Sequence, residues 1–70
     1  MIDDVNPLHY KNLNPEPIDV IEAWGLDFTL GNVIKYIARY KNKGGITDLK
    51  KAQWFLNRFI VYYEAKIDDK

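Results

Sequence analysis

Apolar positions recur at three- and four-residue spacing in three runs of this chain, each bracketed by residues that start or stop helices. The first run, about Pro17 to Trp24, sets Ile18, Ile21 and Trp24 on one side, with Asp19 and Glu22 pointing away. Pro17 suits the first helical position and Gly25 the C-terminal stop. The second run spans about Phe28 to Asn42, capped by Asp27 or Thr29, with Leu30, Val33, Ile34 and Ile37 as its apolar side. Gly44-Gly45 ends it and turns the chain. The third, about Asp48 to Lys66, has Thr47 as its cap and Asp48 favourably placed in its first turn. Ahead of all three, residues 1–16 read as an extended arm, because Asn6-Pro7, Asn14-Pro15 and Glu16-Pro17 disfavour helix before each proline. The reading is therefore all-α: an arm over 1–16, a three-helix domain over 17–67 with short, medium and long helices, and a frayed tail over 68–70.

The third helix is apolar on more than one side. Leu49, Ala52, Leu56, Phe59, Ile60, Tyr63 and Ile67 form a core stripe, yet Trp54, Val61, Ala65, Phe55 and Tyr62 occupy much of the remaining circumference. Such a helix is normally covered on most sides, and two short helices are too few to do it. This predicts a homo-oligomer with an interface along Trp54, Arg58 and Val61; the alternative is that the N-terminal arm folds over that face.

Size and charge sharpen this picture. A domain of 70 residues buries only ~60% of the surface its unfolded chain exposes, which again favours association with copies of itself. There is no Cys to supply a disulfide or a thiolate metal site, and a single His leaves little for a His-based one. Ten basic and ten acidic residues cancel, which argues against bulk DNA binding. No apolar run approaches the ~18 residues of a membrane span, and the acidic N-terminus does not resemble a secretory signal, so a cytosolic protein is expected.

Four constellations carry candidate chemistry. Asn32, Lys35, Tyr36 and Arg39 recur at i, i+3, i+4 and i+7, giving one helix face an amide, two cations and a phenol with no acid among them. That set suits a phosphate and a flat ring; its bland counterpart is a solvated face, or cations paired with Asp19, Glu22 or Asp48. Lys43-Gly44-Gly45 leads into a helix N-terminus whose free N–H groups can take an anion, with Lys51 one turn further on. His9-Tyr10 can stack on a base or serve in acid–base work, though a lone His is ordinarily a packing residue. Asp19 and Glu22 can hold Mg²⁺ beside a phosphate, or simply be solvated.

Taken together, several motifs resemble a known family. His9-Tyr10-Lys11, the stretch Glu16 to Phe28, Gly31 to Arg39, Lys43-Gly44-Gly45 and Asp48 to Leu56 are similar to a small bacteriophage domain of unknown function often labelled a phage nucleotide kinase. The resemblance covers about residues 9–58 and implies a phage origin, a helical fold and a nucleotide-related role in the host cytoplasm. Its motif positions here are His9, Tyr10, Asn32, Lys35, Tyr36, Arg39, Lys43, Asp48 and Lys51. The family includes a longer member that phosphorylates nucleoside monophosphates; this chain lacks a second segment to complete a kinase and has no Walker A pattern.

The expected function is a nucleotide binder that sequesters a nucleotide or cyclic-nucleotide signal of the host, an anti-defence role with no bound metal or cofactor. A nucleoside monophosphate kinase is the first alternative, its site shared between subunits and Mg²⁺ held by Asp19, Glu22 or Asp48. The second alternative is a protein that inhibits a host enzyme through Trp54 and Tyr62.

Overall fold

The computed structural model describes residues 13–68. Helix α1 runs Pro17–Trp24, α2 Phe28–Arg39 and α3 Ile46–Asp68, with no strand among the described residues. The protein is all-α, as its periodicity predicts. The arm up to residue 12, with His9 and Tyr10, and the last two residues lie outside the described part.

Local chemistry sets each boundary. Pro17 opens α1, which ends in a left-handed Gly25 (φ 64°); Leu26 N–H donates to Ile21 O at 3.0 Å and Gly25 N–H to Glu22 O at 3.2 Å. This pair of bonds satisfies the last carbonyls of the helix and needs a positive φ that glycine adopts without strain. Asp27, not Thr29, caps α2, its Oδ1 accepting from Leu30 N–H at 3.0 Å.

Helix α2 stops at Arg39 rather than at Asn42. The Gly44 N–H, which would extend the ladder to the Tyr40 carbonyl, turns instead to Asp48 Oδ2 at 3.0 Å, while Gly45 N–H takes the Tyr40 carbonyl at 2.7 Å. Helix α3 in turn begins two residues early, at Ile46, with Leu49 N–H bonding to Gly45 O, so Thr47 lies inside the first turn and is not its cap.

Packing is sequential. Helix α2 touches both neighbours, whereas α1 and α3 share no packed surface. Ile21 of α1 closes over Gly31, where a side chain would meet it at ordinary contact distance. Asp48 and Phe55 meet α2 at Arg39, Phe28 and Tyr36, and on the same side of α3 Asp48 and Ala52 are buried and Phe59 half-buried. The rest of the expected α3 core stripe is not a core in this chain alone. Leu49, Leu56, Ile60, Tyr63 and Ile67 are all exposed, because α2, ~18 Å long, shields only one side of a helix ~34 Å long. Ile37 and Trp24, placed by the periodicity on inward-facing apolar sides, are exposed as well.

Candidate anion-binding site

The face of α2 that carries Asn32, Tyr36 and Arg39 is not a free surface. It borders α3. Tyr36 stacks on Phe55 with ring centroids 6.0 Å apart and planes 16° from parallel. Arg39 Nε donates to Asp48 Oδ2 at 3.0 Å, the same oxygen that accepts from Gly44 N–H. The pairing of Arg39 with Asp48, one of the bland alternatives, is thus realised. Asp48 is the most deeply buried residue described, at 1% exposure, and both its partners are hydrogen-bond donors, so it acts as the clasp between α2 and α3.

Three cations nevertheless converge above this clasp. The ring of Tyr36 has Lys35 Nζ 4.5 Å, Lys51 Nζ 5.4 Å and Arg39 Cζ 5.6 Å from its centroid. The aromatic quadrupole holds cations at such distances. Among the described residues a single carboxylate, Asp48, is bonded into the group, which leaves an excess of positive charge at one ring. Arg39 spends Nε on Asp48 and keeps its two terminal nitrogens, which lie on the other edge of the guanidinium fork.

Lys35 also borders a recess of about 400 Å³ between α1 and α2, walled by Ile21, Leu26, Asp27, Phe28, Gly31 and Asn32. Asn32 donates Nδ2 to the Phe28 carbonyl at 2.9 Å, which fixes the amide and leaves Oδ1 to accept a bond. A largely apolar recess, with the Asn32 acceptor and the α2-capping carboxylate of Asp27 in its wall and clustered cations beside it, suits a flat heterocycle joined to an anionic group.

Of the residues singled out in the sequence, the structure gathers Asn32, Lys35, Tyr36, Arg39 and Lys51. Lys43 is exposed on the turn before α3. The acids Asp19, Glu22 and Asp48 do not gather, and among the described residues no three Asp, Glu or His side chains are placed to hold a metal ion. Sequence reading offers the pairing with Asp48 as an alternative; the structure adds that this acid is buried, with its carboxylate close against Gly44. A larger groove, about 580 Å³, runs past Trp54, Asn57, Arg58 and Tyr62 to Asp27 and Thr29, with Arg58 lying 5.7 Å from the Trp54 ring.

Fold and site together define a small helical domain whose central helix carries a cation cluster on an aromatic ring. Residues 5–57 match the family described as a protein of unknown function, DUF3310, and the chain belongs to that family. The matched region holds all of α1 and α2, the clasp and the first half of α3. Comparison with curated proteins and with solved structures gave no match. No helix among the described residues is long and apolar enough to cross a membrane.

Proposed function

We propose that this protein is a phage-encoded binder that holds a nucleotide at the Tyr36 cluster without turning it over, and that it works as a homo-oligomer in the host cytoplasm. The observation that carries this reading is the convergence of Lys35, Lys51 and Arg39 on one ring with, among the described residues, a single carboxylate bonded to them. Like charges held together repel, and an anion between them reverses that cost. In this reading the phosphate sits between the two lysines and the free edge of Arg39, and the base enters the recess against Phe28. Asn32 Oδ1 accepts from a base amino group or a ribose hydroxyl. Tyr36 does not stack on the base, because its ring already carries Phe55 and the cations; it gathers the charges instead.

A kinase would need acids free to hold Mg²⁺ between two phosphate seats. The engagement of Asp48 by Arg39 and Gly44 favours binding over phosphoryl transfer. The inhibitor reading draws its support from the aromatic groove at Trp54 and Tyr62.

Calorimetric titration of the full chain with mono-, tri- and cyclic nucleotides tests the proposal. Binding that weakens in Lys35→Ala and Lys51→Ala, with the helical circular dichroism unchanged, is expected. Silence across the panel overturns it. Release of a diphosphate from ATP, Mg²⁺ and a monophosphate would favour the kinase.

A further inference from the structure

We infer that two copies of the chain pair antiparallel along α3, through the stripe Leu49, Leu56, Ile60, Tyr63 and Ile67. This takes from the proposed function only that copies associate; the ligand plays no part in it.

With Gln53 included, the stripe advances by four, three, four, three and four residues from Leu49 to Ile67. That alternation keeps one seam facing a partner helix along the whole length. Nothing among the described residues covers the seam: its five apolar side chains are 37–53% exposed, while on the adjoining side Asp48 bonds to Arg39 and Phe55 meets Phe28 and Tyr36. The backbones of α1 and α3 do not approach each other. The side chains are therefore steadied by the hairpin yet open outward, a quarter turn from α2.

Helical phase adds α2 to the same surface. A quarter turn from the α3-facing Tyr36 lie Val33 and Ile37, and because α2 and α3 run antiparallel these fall on the seam side of the hairpin; the cations fall on the opposite side. Ile37 is 48% exposed. Two hairpins laid together by this side form a four-helix bundle around a shared apolar core. Contact along ~30 Å of helix, widened by α2, approaches the ~800 Å² per partner of a stable interface.

Charge selects the direction. Lys50, Asn57 and Glu64 flank the seam at every seventh position. With Ile60 set against Leu56 of the partner subunit, an antiparallel pair brings Lys50 of each copy opposite Glu64 of the partner subunit and Asn57 close to its own counterpart. A parallel pair leaves Lys50 and the partner's Glu64 about 21 Å apart along the axis. The antiparallel order also sets the Gln53 amide against Tyr63 of the partner subunit. Such a dimer is isologous and closes on itself.

The chain has no cysteine, so single-cysteine variants report cleanly. Sedimentation of the full chain without nucleotide is expected to show a dimer or a multiple of one. Asn57→Cys, an exposed position, is expected to couple through a short bismaleimide into a covalent pair, and Ile67→Cys is not. Lys50→Glu is expected to weaken association about fivefold, and Lys50→Glu with Glu64→Lys to restore it. A monomer at all concentrations overturns association altogether. An oligomer in which Asn57→Cys fails to couple, or in which Ile67→Cys couples as readily, overturns this seam and direction while leaving the ligand reading intact.

Discussion

Arg39 and Asp48 meet across the α2–α3 turn with Nε 3.0 Å from Oδ2; the arginine side chain is one-third exposed and the acid almost fully buried. The pair fastens the end of one helix to the first turn of the next. It also explains why the turn between them, Tyr40–Gly45, takes the shape it does.

Removing the acid leaves the Gly44 N–H and the guanidinium without their partner. Asp48→Ala is expected to cost about 2–4 kcal/mol, a large part of the stability of so small a domain. Arg39→Ala strands a buried carboxylate and is expected to be destabilising too, so it cannot serve as a silent binding variant. Urea unfolding of both variants beside the wild type checks this; midpoints within error of the wild type would refute the clasp.

At Gly44 a Cβ would collide with the Asp48 carboxylate, whereas at Gly45 (φ 53°) it would meet open space. Gly45→Ala should cost about 1 kcal/mol through the left-handed backbone alone. Gly44→Ala should cost more, because Asp48 is held from two sides. The collision also predicts coupling: in the Asp48→Ala background, Gly44→Ala becomes nearly neutral. Equal costs in the two backgrounds would argue against it.

The α2 cap gives a smaller effect. Asp27→Ala removes the acceptor of the Leu30 N–H and is expected to lose about 1 kcal/mol. Thr29→Ala, which removes no such acceptor, should fall within about 0.5 kcal/mol of the wild type. Thermal melts of the two variants decide which residue caps the helix.

For the ligand, Lys35→Ala and Lys51→Ala should each weaken nucleotide binding about 5–20-fold, the range of one charge-assisted contact. Raising salt should weaken the wild type more than either variant. Titrations at two ionic strengths measure both effects, and salt-independent binding would speak against a phosphate seat.

The three helices were legible in the sequence because their signals are local. Pro17 and Gly25 bracket α1 within one short segment, and Asp27 caps its own helix. The second turn was misread by two or three residues because its geometry depends on a contact nine residues apart, Arg39 with Asp48, which no local pattern announces. The same contact shapes the candidate site. Periodicity sets Asn32, Lys35, Tyr36 and Arg39 on one side of α2, but amphipathic logic takes the polar side as the wet one. Tyr36 and Arg39 instead meet α3 through a ring and a buried acid, while the apolar Ile37 looks outward. A polar residue can face a neighbour when that neighbour supplies the matching group, and sequence spacing alone does not say which neighbour will.

In the proposed reading Arg39 serves both as latch and as rim of the nucleotide seat, and this would limit how the protein can change. Its charge cannot be traded without loosening the hairpin, so adaptation to another ligand must run through the two lysines and the walls of the recess. The seat has two adjustable cations and one that the fold keeps in place.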